Sequence, residues 1–157
     1  MANPAFLTIE GKSFEVMSLD YELSTTYNNN YKPSTSAPQG GIINFTIRSP
    51  LKGTLLFHEW LLTPKLKKEG YFILPITHRT EQSYKGLTFH LAHCINLHEY
   101  YNASDASQVY MRITIVASVI AFGENVTYFQ PGLDPDEKKK YDYNYDPALR
   151  TPPKTKK

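Results

Sequence analysis

The stretch Val109-Tyr110-Met111-Arg112-Ile113-Thr114-Ile115-Val116-Ala117-Ser118-Val119-Ile120-Ala121-Phe122 decides the fold. Its odd positions, from Val109 to Ala121, are all apolar, while the even ones begin with Tyr110, Arg112 and Thr114. Alternation with period two is the signature of a β-strand with one buried face. Later even positions turn apolar as well, at Val116, Ile120 and Phe122. Fourteen extended residues span roughly 46 Å at ~3.3 Å each, against the usual ~17–20 Å. A strand this long asks for more partner surface than a small domain readily supplies. The odd file is therefore assigned to the core, and Val116, Ile120 and Phe122 to contact with a helix or a neighbouring subunit.

Upstream, a short strand around Phe6 and Thr8 turns at Glu10-Gly11-Lys12. In Phe14–Tyr27 the apolar file passes through Phe14 and Val16, then changes parity to Met17, Leu19, Tyr21 and Leu23. One extra residue in a ladder produces such a switch, so a β-bulge is expected near Val16-Met17. Residues 28–41 are rich in Asn, Pro, Ser and Gly and read as a long loop. Ile43, Phe45 and Ile47 give another half-buried strand. Thr54–Leu62 shifts to helical spacing and stops at Thr63-Pro64. Tyr71–Thr77 is a strand in which Pro75 favours an edge position. His78–Gly86 reads as a polar turn, and Leu87–Tyr101 as a long strand with Leu87, Phe89, Leu91, His93, Ile95 and Leu97 on one face. The sum predicts a mainly β fold: a closed or nearly closed barrel, or two packed sheets, with one short helix over an open end. Residues 1–127 form this domain. Residues 128–157, rich in Pro, Lys and Tyr, are expected to be an extended or disordered tail, dispensable for assembly.

The 157 residues, 41% hydrophobic and 20% charged, suit one globular domain. The single cysteine, Cys94, rules out an internal disulfide and a cysteine-only zinc site. The amino terminus has no basic segment followed by an apolar run, so no secretory signal is expected, and no apolar run is long enough for a membrane helix. Residues 1–130 carry ten Lys/Arg and ten Asp/Glu, so the net charge of +2 lies wholly in the tail. A neutral body lacks the footprint for phosphate-backbone binding. Low charge also lowers the barrier to self-association.

Chemistry is sparse. On a strand, His90, Cys94 and His98 share a face in steps of roughly 13 Å, too far apart for ligation at ~2.0–2.3 Å, and His93 points the other way. No metal or cofactor is predicted. There is no Gly-x-Ser-x-Gly elbow and no glycine-rich phosphate loop. Cys94 in mid-strand reads as an inert buried thiol. No catalytic residue is assigned. An exposed aromatic row could serve a carbohydrate-binding sandwich, yet packing explains most strand tyrosines.

Four ordered stretches carry a resemblance to the Hcp (TssD) tube proteins of type VI secretion, in their Bacteroidota form. Phe6-Leu7-x-Ile9-x-Gly11-Lys12-x-Phe14-x-Val16 resembles the family's first hairpin. A polar loop with Lys32-Pro33 closes on Gly40-Gly41 before Ile43-Asn44-Phe45-Thr46-Ile47. Leu56-Phe57-His58-Glu59-Trp60 resembles its single helix, and His93-Cys94-Ile95-x-Leu97-His98-Glu99-Tyr100-Tyr101-Asn102-Ala103 its penultimate strand. The likeness covers about residues 5–123. It implies a small β-barrel flanked by a helix, six copies of which close into a ring. Rings stack into a hollow tube that carries effectors, meets sheath, spike (VgrG-like) and baseplate proteins, and is expelled by contraction. It implies assembly in the bacterial cytoplasm and export without a signal peptide, with no nucleic-acid partner and no membrane insertion. Tyr27, Tyr31, Lys32, Pro33 and Gln39, in the long loop, become expected ring or stacking contacts beside Val116, Ile120 and Phe122. A tube protein of another contractile injection particle is the alternative.

Overall fold

A computed structural model of the protein describes residues 4–25, 39–49, 55–105, 109–123 and 126–141. Seven strands form one antiparallel sheet: β1 (Ala5–Ile9), β2 (Lys12–Tyr21), β3 (Ile42–Arg48), β4 (Lys68–His78), β5 (Glu81–Tyr100), β6 (Tyr110–Ala121) and β7 (Thr127–Phe129). Their order is β3-β2-β1-β4-β5-β6-β7, and a further β3–β6 pairing closes the first six into a barrel. Helix α1 (Leu56–Leu62) sits between β3 and β4 in the chain, and α2 (Pro135–Tyr141) follows β7.

Local chemistry sets the joints. Ile9 pairs with Lys12, and both turn residues have positive φ, Glu10 at 53° and Gly11 at 75°. That matches the mirror-image turn whose twist suits a two-residue hairpin. The register of β2 on β3 shifts between Val16 and Ser18, as the parity change predicts. The expected His78–Gly86 turn is much shorter. His78 pairs with Glu81, leaving a loop of Arg79 and Thr80, and the pairing continues from Gln82 to Gly86. Beyond Ile73 this hairpin has no β1 partner, so Leu74–His78 and Glu81–Lys85 project as a two-stranded ribbon. Its residues are mostly exposed on both faces, which is why no apolar file marks them. Pro75 lies in this projection, where β4 is an edge, while the rest of β4 is central between β1 and β5.

The core is built from Met111, Ile113, Ile115, Ala117 and then Ile120 of β6, with Leu7, Ile9, Phe14, Ile43, Phe45, Phe72 and Phe89. From α1, Leu56, Phe57 and Trp60 enter it. Phe57 meets Phe14 edge-on at 5.1 Å, and Trp60 stacks on Phe89 at 6.3 Å. The Trp60 indole N–H donates to the carbonyls of Leu66 and Ala92, each at 3.1 Å. The helix is thus fastened across the barrel by buried aromatic surface.

On β5 the expected single apolar face does not persist. Leu91 has φ 53°, and after Phe89 the buried residues are Ala92 and Cys94 while Ile95 is 53% exposed. A left-handed residue in mid-strand swaps the faces. The expected tail boundary also falls within regular structure. β7 pairs Ile120 with Tyr128, Tyr128 joins the core, and α2 occupies part of the segment read as extended.

Candidate functional site

The long strand β6 is explained within the protomer. One of its edges is paired along its length with β5. The other carries two partners in succession, β3 over Tyr110–Val116 and β7 over Val119–Ala121. Gly41 sits at the junction, its carbonyl accepting the Ala117 N–H at 2.7 Å. Its φ is 100°, and a Cβ there would lie 2.7 Å from the Ala117 carbonyl oxygen. Only glycine fits this close approach. Tyr128 closes the junction from inside. Burial pushes its phenol upward, opposed by a backbone hydrogen bond with Gly40.

This arrangement redistributes the expected contact residues. Ile120 is 0% exposed. The face of β6 that enters the core changes between Ala117 and Ile120, so Ile120 sits with its cross-strand partners Phe89 and Tyr128 in the core. Ile120 therefore leaves the set of intersubunit contacts. Phe122 is half-buried and packs on Tyr21 at 5.3 Å. Val116 stays on the outward face, between Ile42 and His93 in register. Gln39 is exposed and exchanges two backbone hydrogen bonds with Ser24, at 2.9 and 2.7 Å. Tyr27, Tyr31, Lys32 and Pro33 lie outside the described residues.

Two surface features escaped the sequence reading. Phe6 and Ile73 are cross-strand neighbours beside Tyr71, and all three are about two-fifths exposed, forming an outward apolar patch. The layer β2-β3-β6-β5 also ends in two lengths of strand without a second strand beside them among the described residues. β2 pairs with β1 only up to Val16, and β5 with β4 only up to Ala92. Ser18–Tyr21 and Asn96–Tyr100 are thus sheet edges. Pairings were not readable from one strand's pattern, which reports faces and not edges.

Cys94 is a free, buried cysteine. Its thiol lies 3.8 Å from the Asn96 carbonyl, and burial pushes it up to about 11. The thiol is protonated and inert at neutral pH. Among the described residues, no group of three His, Cys, Asp or Glu side chains could hold a metal ion, and no helix is long and apolar enough to cross a membrane. His90 serves structure, with Nδ1 2.9 Å from Glu69 and its ring stacked at 4.4 Å on Tyr141 of α2.

The described residues define a closed antiparallel barrel domain with one helix packed into its core and sheet edges left free among them. Residues 1–129 match the family model described as hemolysin coregulated protein Hcp (TssD). The chain belongs to that family, and is a tube subunit of the type VI secretion system and not an enzyme. The fold is similar to that of Hcp1 from Flavobacterium johnsoniae, at 22% identity and TM-score 0.66, covering 82% of this chain and 100% of that one. It is also similar to Hcp1 from E. coli EAEC 042 (12%, 0.59, covering 81% and 97%). The secreted protein Hcp3 from Pseudomonas aeruginosa is a third such structure (11%, 0.56, covering 83% and 100%). Comparison with curated protein sequences found no match.

Proposed function

We propose that six copies of this chain close into a ring, and that rings stack into the hollow tube expelled by the type VI sheath. The observation that carries this reading is the pair of sheet edges in one layer, Ser18–Tyr21 of β2 and Asn96–Tyr100 of β5. An exposed edge invites another strand. In the antiparallel order β2-β3-β6-β5, β2 and β5 run in opposite directions. The β2 edge of one copy set beside the β5 edge of the next therefore continues the antiparallel alternation. Such a contact is heterologous and closes into a ring when the rotation permits. The patch of Phe6, Tyr71 and Ile73 supplies apolar area for a second contact. We assign Tyr27, Tyr31, Lys32, Pro33 and Gln39 to contact with the adjacent copy or ring, with Val116 and Phe122 in support. Sheath, spike and baseplate proteins are the outer and end partners, and effectors fill the lumen. The subunit assembles in the cytoplasm and leaves without a signal peptide.

Light scattering after size exclusion, with electron microscopy of the full chain, tests the reading. A mass near six protomers and annular particles are expected. A strictly monomeric species at high concentration, with no rings, overturns it.

A further inference from the structure

The outward face of β3, β6 and β5 holds a shallow recess of about 270 Å3 lined by Thr46, His98, Tyr100, Tyr110 and Arg112. Cross-strand register builds it: Thr46 stands opposite Arg112, Arg112 opposite His98, and Tyr110 opposite Tyr100. Its two aromatic walls are held from outside. The Arg48 guanidinium lies 5.6 Å from the Tyr110 ring centroid, and Arg48 is itself bonded to Glu15 at 3.4 Å. The Tyr100 hydroxyl accepts from the Asn102 side-chain amide at 3.3 Å. Asn102 in turn accepts from the Ser104 N–H and hydroxyl, at 3.0 and 2.7 Å. Arg112 differs from all of these. It is exposed, no carboxylate among the described residues pairs with it, and no acidic side chain lines the recess.

We propose that this recess is a receptor for a single carboxylate side chain, presented by an acidic segment of a partner protein. A guanidinium offers a planar fork of donors that matches a carboxylate in bidentate geometry. Thr46, His98, Tyr100 and Tyr110 line the recess around Arg112, and the tyrosine rings offer apolar surface to the methylenes of a glutamate. Charge decides the class of ligand. Arg48 is already matched to Glu15, so one unmatched cation remains, which suits a monoanion. A polyphosphate backbone would need a row of cations, and the body of this chain is neutral. Because the walls are held before the ligand arrives, little ordering cost opposes binding. This site goes beyond ring formation: His98 and Tyr100 belong to the Asn96–Tyr100 stretch, which would meet a second copy through its backbone edge, and the charge of Arg112 on the outward face has no part in that contact.

Fluorescence anisotropy tests the proposal on the full chain, with a labelled peptide of alternating Glu and Gly and its Gln-for-Glu twin as probes. The wild type is expected to bind the Glu peptide about tenfold or more tightly than the twin, the range for a charged hydrogen-bonded pair. Arg112→Gln should bring the Glu peptide down to the twin's affinity, and Arg112→Lys should fall between, keeping the charge but losing the fork. Arg112 is exposed, so both variants should keep the wild-type circular dichroism. Equal binding of the two peptides, no binding, or undiminished binding by Arg112→Gln overturns the proposal. So does displacement of the Glu peptide by inorganic phosphate at lower concentration than by acetate, which would identify a phosphate site.

Discussion

Ile120→Ala separates a core role from an intersubunit one. The substitution removes three carbons from a fully buried side chain, a transfer loss of about 2.4 kcal/mol at ~0.8 kcal/mol per carbon. Its neighbours Phe89 and Tyr128 are held in the ladder on either side, so the void cannot close by a small shift, and a cavity penalty adds to the loss. The total is about 3–4 kcal/mol, or roughly 6–16 °C in Tm at 2–4 °C per kcal/mol for a chain of this size. Val116→Ala, on the half-exposed face, should cost no more than about 1 kcal/mol. Urea unfolding at several protein concentrations is the assay, because assembly adds a concentration-dependent contribution to stability. A core role makes the Ile120 effect the same at every concentration. If Ile120→Ala unfolds within 1 kcal/mol of wild type while rings are lost, the residue acts between subunits and the reasoning fails.

Gly41→Ala forces a Cβ against the Ala117 carbonyl at a φ of 100° and should cost about 2–4 kcal/mol, read as a fall in the urea midpoint. Ending the chain after Phe129 removes α2, which buries no residue, and should change stability by less than about 1 kcal/mol. Ending it after Thr127 also removes Tyr128 from the core and should cost about 3–5 kcal/mol, so equal stability of the two truncations would exclude a core role for β7. Cys94 should resist iodoacetamide at pH 8, where roughly one thiol in a thousand is ionised for a value near 11. Its folded value is raised above 9.0 to about 11. The stability this contributes is therefore complete below pH 9 and lost as pH climbs toward 11, visible as a falling Tm over that window that Cys94→Ala should flatten.

Periodicity exposed some of this architecture and could not expose the rest. The odd file of β6, the bulge after Val16 and the Glu10-Gly11 turn were legible because each leaves a local mark: a face, a parity change, a residue that tolerates positive φ. The face swap at Leu91 left none, because leucine carries no signal for φ 53° and the apolar positions on β5 continued to alternate past it. The β5 half of the ribbon, Glu81–Lys85, reads as a turn because both its faces are wet. Arg112 was visible only as a polar residue in an alternating strand. Its lack of a carboxylate partner among the described residues depends on Thr46 and His98 being its cross-strand neighbours, a fact of register that no single strand contains.

The length of β6 is matched by strands of its own chain. A strand needs a partner at each edge as well as cover on each face. β6 finds its edges within its own chain by using β3 and then β7, with Gly41 allowing the change of partner. Among the described residues, the edges without a second strand belong instead to β2 and β5, which outrun β1 beyond Val16 and β4 beyond Ala92 and so leave Ser18–Tyr21 and Asn96–Tyr100. They bound the same four-stranded layer on opposite sides. Satisfying one edge with a second copy leaves an identical vacancy at the far side of that copy, so the contact propagates until rotation closes it. In such a ring the seal would be backbone hydrogen bonding along β2 and β5, largely insensitive to side-chain truncation and sensitive to proline. Leu97→Pro, which places a ring nitrogen in that free stretch of β5, is therefore the variant expected to abolish rings, while Leu97→Ala retains them. Rings that survive Leu97→Pro in a folded protomer would move the seal from these edges to the Phe6, Tyr71 and Ile73 patch.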